Sequence, residues 1–278
     1  MATDRPMTEP TEYSQFISSV NYPVPQEVNK RDNNAQEWLF PTMCTLCGGH
    51  GQRGRELCPG CEGDLPRIES ACLQCGAPLP AQGLCGRCQQ RPPAFTNTVA
   101  VFNYQPPVDV LIKRLKFKGD LHIAELLGGL MADRLAMSDT PDVLVPVPLH
   151  PRRLRERGFN QALELARPIA RRLGVPMEWR HVTRSRATDP QSELPAKFRS
   201  RNVKDAFSVA AGFAAQRVAI VDDVMTTGYT VNELALTLRH HGVVHISVWI
   251  CARAVFGPAL ERVVGGTEAR IGEGRRQS

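Results

Sequence analysis

In Arg217-Val-Ala-Ile-Val-Asp-Asp-Val-Met-Thr-Thr-Gly-Tyr-Thr230, a short apolar run meets two carboxylates and then a loop of small hydroxyl residues and glycine. The unbroken run Val218 to Val221 is what a parallel strand shows when helices cover both of its faces. Asp222 and Asp223 then fall at its carboxyl end, where open α/β sheets hold their ligand crevices. Thr226, Thr227, Gly228 and Thr230 supply hydroxyls and a flexible backbone. A helix through Val231, Leu234, Ala235 and Leu238 would turn free N–H groups back onto that loop and make an anion cradle. Adjacent carboxylates suit a ribose diol or an attendant Mg²⁺ rather than the same anion. The segment therefore reads as a phosphosugar site, against the plainer reading of a solvated turn followed by an ordinary helix cap.

A second strand, Val143-Leu-Val-Pro-Val-Pro-Leu149, leads into His150-Pro-Arg-Arg-Leu-Arg-Glu-Arg-Gly-Phe-Asn-Gln161, read as a basic loop. From His150 to Lys204 there are 14 Lys/Arg against 5 Asp/Glu, on a chain whose net charge is only +6, so positive charge gathers near the candidate site. Arg184 to Asn202 is long and polar and reads as a mobile loop. Lys116, Phe117, Lys118 and Gly119 follow an apolar stretch and offer a further anion-facing turn.

Eight of the nine cysteines form four Cys-x-x-Cys pairs: Cys44/Cys47, Cys58/Cys61, Cys72/Cys75 and Cys85/Cys88. Two intervening residues let both thiolates face one tetrahedral ion, with Gly48, Gly76 and Gly86 relaxing the tight turns, so eight thiolates match two Cys₄ zinc sites. A disulfide framework is the competing reading. It lacks the leader sequence that an oxidising destination would imply, and a cytoplasmic protein is expected. Sequential pairing of the knuckles, interleaved pairing and a single ion all remain open on spacing alone. Cys251, inside the apolar run Val243 to Cys251, reads as a buried strand residue.

With 278 residues and 42% hydrophobic content, the chain can hold one sizeable α/β domain and a small metal-stabilised module. The reading divides it into a flexible tail at 1–38, a cysteine module at 39–93, an α/β domain at 94–256 and a second tail at 257–278. The first tail is polar, with 6 acidic and 3 basic side chains. No apolar run reaches the roughly 18 residues needed for a membrane span. In the larger domain, Asn97 to Tyr104 reads as a strand and Val108 to Leu115 as the start of a helix. Ile123 to Met137 and Gln161 to Leu173 read as further helices, Pro168 kinking the second or moving its start. Strands near Val143, Val218 and Val244 complete a mostly parallel sheet. His240 and His241, beside Gly242, are assigned a helix-end role.

The order strand, acid pair, Thr-Thr-Gly-x-Thr and helix resembles the phosphoribosyl-diphosphate (PRPP) signature of type I phosphoribosyltransferases. Val-Pro-Val-Pro-Leu, Arg-Gly-Phe-Asn-Gln, Thr-x-Pro-Gln with a later Arg-Asn-Val, and the acid-pair motif together resemble the ComF family of competence-associated, phosphoribosyltransferase-like proteins, over roughly residues 40–254. That resemblance implies a type I phosphoribosyltransferase-like α/β fold behind a double zinc ribbon with sequential pairing. It matches Asp222 and Asp223 with the ribose-binding catalytic pair. It matches Val224, Met225, Thr226, Thr227, Gly228, Tyr229 and Thr230 with the 5′-phosphate loop, and Pro146, Val147 and Pro148 with the pyrophosphate loop. The Arg184 to Asn202 stretch stands where the superfamily has a lid. Arg157, Arg199 and Arg201 are candidate diphosphate contacts, since guanidinium forks pair with phosphate oxygens, although each competes with being a solvated surface charge.

What the resemblance implies is a PRPP- and Mg²⁺-binding protein concerned with the uptake or processing of single-stranded DNA, in natural competence or DNA utilisation, with single-stranded DNA and the DNA-uptake machinery as partners. No residue pattern names an acceptor base, so phosphoribosyl transfer itself is left open. The alternatives are a non-catalytic regulator or adaptor that senses PRPP, because a fold does not fix a function, and a nucleobase salvage enzyme.

Overall fold

The computed structural model describes residues 42–52, 54–185 and 204–254. Two short helical turns, α1 (Pro59–Gly63) and α2 (Gly86–Gln90), belong to the cysteine-rich part. Then follow β1 (Asn97–Asn103), α3 (Val108–Lys118), α4 (His122–Leu135), β2 (Val143–Pro146), α5 (Pro151–Arg157) and α6 (Gln161–Leu173). The chain continues through β3 (Val182–Arg184), β4 (Phe207–Val209), β5 (Arg217–Met225), α7 (Tyr229–His240) and β6 (His245–Arg253). Four strands form a sheet in the order β1-β6-β5-β2 with every pair parallel, and β3 and β4 form a separate antiparallel ribbon.

Because side chains alternate across a strand, a sheet covered on both faces needs apolar residues at consecutive positions. On β5, Ala219 and Val221 pack with α3, α4 and α6, whereas Val218 and Ile220 pack with Val231, Leu234 and Leu238 of α7. On β6, Trp249 and Cys251 face the first layer and Val248 and Ile250 the second, so Cys251 is the buried strand residue expected. The two cysteine knuckle pairs divide in the same way. Cys44, Leu57 and Leu65 join the first core, while Ile68 and Cys75 lie against the second.

This module also covers the outer edge of β1. Thr98 N donates to Leu73 O at 3.0 Å, Ile68 N to Val101 O at 3.0 Å and Asn103 N to Pro66 O at 2.7 Å. An edge that would otherwise leave backbone groups unpaired is thereby closed.

Several local expectations change. Residues 151–157 are a helix, not a basic loop. His150 Nδ1 accepts from Arg152 N at 3.2 Å, Pro151 occupies the first turn, and Gly158 closes the helix with φ +84°. Strand β5 runs through the acid pair to Met225, because pairing with β6 continues from Asp222↔Ile250 to Met225↔Arg253. Tyr229 and Thr230 open α7, which leaves only Thr226 to Gly228 as loop. Arg184 is a buried strand residue of β3, not the start of a loop. Gly48 and Gly76 adopt positive φ, but Gly86 instead begins α2. Pro168 sits inside α6 without moving its start from Gln161. The helix-end role expected of His241 holds, since it caps α7 with its Nδ1 2.9 Å from Thr237 O.

Candidate phosphosugar site and thiolate centres

The carboxyl ends of β5 and β2, the end of α3 and the starts of α6 and α7 meet around Asp222 and Asp223. Asp223 is 3% exposed and pairs with the ammonium of Lys116 from the last turn of α3. Burial opposes its ionisation, but Lys116, helped by hydrogen bonds with Asp222 and Gln161, outweighs burial and holds its carboxyl below the usual range. Asp222 behaves oppositely. Burial, with the neighbouring Asp223 carboxylate, pushes its carboxyl well above the usual range. The unliganded pair therefore favours one charge and one proton, as close carboxylates do.

The stretch Arg157-Gly-Phe-Asn-Gln161 acquires a physical account. Gly158 ends α5, and Phe159 is buried in the core under α3 and α6. Asn160 caps α6 through Ala162 N at 3.0 Å and donates to Val147 O at 3.1 Å. Gln161 then accepts from Arg157 Nη1 and donates from Nε2 to Asp223 Oδ1 at 3.4 Å. One cap thus aims a relay from Arg157 to the acid pair. Gln161 and Asn160 served the sequence reading only as fingerprint letters. Lys116 appeared there only as part of a turn, since its pairing with Asp223 spans the sheet.

After the acid pair, Gly228 precedes α7 with φ +80°, and no side chain among the described residues caps the helix. The first N–H groups of α7 are thus directed at the loop, a setting that favours an anion. Thr227 Oγ1 is buried with no hydrogen-bond partner among the described residues. Met225 is buried, and its carbonyl accepts from Ala254 N at 3.0 Å.

On the opposite side, Pro146, Val147 and Pro148 are buried. The prolines carry no N–H, and Val147 N already donates to Val221 O at 2.9 Å, so these three residues form wall and offer no free donor. Positive charge comes instead from α5 and β3. Burial, with Arg153 alongside, lowers Arg184 to about 10 against the pull of Asp222. Burial, then Arg184, Arg155, Arg153 and Arg152, lowers His150 as well. Arg157 is half-buried and lies with its guanidinium 5.9 Å from the exposed Phe117 ring. Arg199 and Arg201, the remainder of the expected lid and both tails lie outside the described residues.

The cysteines collect into two tetrads, Cys44/Cys47/Cys58/Cys61 and Cys72/Cys75/Cys85/Cys88, with the sulfurs of each within 4.8 Å of one another. The pairing is sequential. Sulfur separations of 3.8 Å for Cys47–Cys58 and 3.7 Å for Cys75–Cys85 agree with the ~3.8 Å edge of a tetrahedron built on Zn–S bonds of ~2.3 Å. They are far from a disulfide bond of ~2.05 Å. Backbone N–H groups from Cys61 and Cys85 approach Cys58 Sγ and Cys72 Sγ at 3.4 and 3.3 Å and support the ligands from behind. The donor set fits structural zinc.

A parallel sheet ending in an acid pair, a small hydroxyl loop and an uncapped helix, with two Cys₄ knuckles folded against it, defines a phosphoribosyltransferase-type domain joined to a zinc-ribbon module. Residues 35–89 match the double zinc ribbon domain, and residues 159–259 match the phosphoribosyl transferase domain. The chain is 38% identical over 223 residues to the DNA utilization protein YhgH of Salmonella typhimurium, covering 77% of this chain and 98% of that one. It is 36% identical over 227 residues to Competence protein F of Haemophilus influenzae, covering 78% and 99%. With Competence protein ComFC of Bacillus subtilis it shares 26% identity over 234 residues, covering 76% and 94%. The chain belongs to the ComF family of competence-associated, phosphoribosyltransferase-like proteins. No helix among its described residues is long and apolar enough to cross a membrane.

Proposed function

We propose that this protein binds PRPP and serves the handling of single-stranded DNA. The observation that carries the ligand is the acid pair of β5 standing beside a loop whose Thr227 hydroxyl is buried with no hydrogen-bond partner among the described residues and whose following helix has no side-chain cap there. Asp222 and Asp223 accept from the ribose hydroxyls. The Thr226 to Gly228 loop and the first turn of α7 hold the 5′-phosphate, while Arg153, Arg157 and Arg184 face the diphosphate. Mg²⁺ arriving with the diphosphate would offset its charge, and Asp222, which among the described residues has no cationic partner as close as Lys116 is to Asp223, is the oxygen donor available to it. In a transfer reaction Arg153, Arg157, Arg184 and the accompanying Mg²⁺ would stabilise negative charge on the departing pyrophosphate, with Gln161 holding Asp223 in place.

The test is calorimetric titration of Mg²⁺-PRPP into wild type and Asp222→Asn/Asp223→Asn, both checked for folding and zinc. Binding by wild type and none by the variant is expected. A folded, zinc-loaded wild type that does not bind would overturn the ligand assignment. Binding without base-dependent pyrophosphate release would favour a PRPP-responsive regulator over a salvage enzyme.

The DNA role is supported by the names of the relatives and by α5, on which Arg152 and Arg155 are exposed. Single-strand affinity should fall steeply with salt if these residues meet phosphates. Affinity unchanged by charge reversal at Arg152, Arg153 and Arg155 would remove α5 from the interface.

A further inference from the structure

Arg253, the last residue of β6, is 6% exposed, and its guanidinium faces backbone carbonyls from two separate parts of the protein. Nε donates to Cys75 O at 3.1 Å. Nη1 lies 2.9 Å from Met225 O, 2.5 Å from Thr226 O and 2.5 Å from Ala254 O. Met225 and Thr226 carry the chain from β5 into the candidate phosphate loop, and Cys75 is a member of the second thiolate tetrad.

We propose that Arg253 is a positioning residue that makes the conformation of the Thr226 to Gly228 loop depend on the second Cys₄ centre. The effect on a ligand rests on the sugar-phosphate reading above, whereas the link between centre and loop does not. A guanidinium is a rigid planar fork, so the direction of the Cys75 carbonyl sets the direction in which Nη1 holds the loop carbonyls. That direction belongs to the knuckle, closed by Gly76 N to Cys72 O at 2.8 Å and Cys72 N to Ala77 O at 2.8 Å. The knuckle also presses on the sheet, since a Cβ at Gly76 would stand 2.8 Å from Thr98 Cγ2.

Electrostatics favours the same arrangement. A buried cation needs compensation, and a Cys₄ site holding a divalent ion carries a formal charge of about −2. The far side of the loop has its own contact with this centre. Arg87, on α2 between Cys85 and Cys88, holds its guanidinium 5.6 Å from the ring centroid of Tyr229, the first residue of α7. Neighbours of the second centre therefore brace the loop at both ends, whereas the first tetrad packs on the other face of the sheet.

The experiment compares full-length wild type, Arg253→Lys, Cys85→Ser and their combination. Zinc content, amide exchange in peptides covering residues 221–234, and Mg²⁺-PRPP titration are measured for each. Lysine keeps the charge but cannot span the Cys75 and loop carbonyls with two nitrogens. Arg253→Lys should retain both ions while exchange in the loop rises on the order of tenfold, the loss expected for a hydrogen bond from a charged donor. Exchange in α4 and α6 should not change. Cys85→Ser should lose one ion and show the same local rise, and the combination should be no worse than the larger single effect. PRPP affinity should fall in parallel by on the order of tenfold. Unchanged loop exchange in a zinc-replete Arg253→Lys, or additive effects in the combination, would overturn the proposal. If wild type binds no PRPP, the sugar-phosphate reading fails, and the exchange comparison alone still decides whether Arg253 couples the two regions.

Discussion

Lys116, in the last turn of α3, is ion-paired with the 3%-exposed Asp223 of β5, so a helix and the sheet beneath it are joined by a charge pair at the centre of the candidate site. Removing one partner of such a pair leaves the other charged in a poorly solvated place. Lys116→Met should cost on the order of 3 kcal/mol in urea unfolding, the lower end for broken buried pairs, because Lys116 keeps 22% of its side-chain exposure. Lys116→Met/Asp223→Asn should recover most of that loss, and a double variant as unstable as the single one would contradict this account.

The acid pair makes stability depend on pH in a defined direction. Asp222 has a folded pKa raised by burial and by Asp223, so its contribution is fully present below its unfolded value near pH 4 and is lost as pH rises through the folded value. Asp223 has the reverse sign, contributing above its unfolded value and losing that contribution as pH falls through its depressed folded value. Without ligand, Asp222→Asn should therefore melt at about the wild-type temperature near pH 4 and a few degrees higher at neutral pH. A melting-temperature difference that stays constant from acid to neutral pH would show that Asp222 carries no raised pKa.

Metal loss should be felt beyond the cysteine module. Cys44, Leu57 and Leu65 share a core with Phe102 and Leu111, so Cys58→Ser should both remove one of two zinc equivalents and lower the unfolding midpoint of the whole protein. Elemental analysis and calorimetry on the same sample test this, and an unchanged midpoint with one ion lost would separate the module from the core.

Gly128 of α4 lies directly against α6. A Cβ there would stand 2.4 Å from Pro168 Cγ and 2.5 Å from Leu165 O, and the backbone oxygen cannot turn aside. Gly128→Ala should destabilise by about 2 kcal/mol, within the range for overpacked cores, although Ala is the better helix former. A gain in stability would mean that the helices separate at little cost.

Short-range chemistry made much of this protein legible before any coordinates. The apolar run at Val218 to Val221 requires cover on both faces, and Asp222 and Asp223 follow it directly. Likewise Cys-x-x-Cys spacing is itself the bite of a tetrahedral ion. The same kind of signal lies at His150-Pro151 and Gly158, a helix start and stop inside a stretch whose dense charge resembles a loop.

Tertiary contacts supplied the rest, because they join residues far apart in the chain through directions that linear spacing does not encode. Sequential sharing of the thiolates, Lys116 on Asp223, the aim of Gln161 and the reach of Arg253 from Cys75 to Thr226 all depend on how helices and knuckles dock on the sheet. A residue type states which bonds a side chain can make. Packing selects which of those bonds is made, by placing one partner within reach and shielding the pair from water.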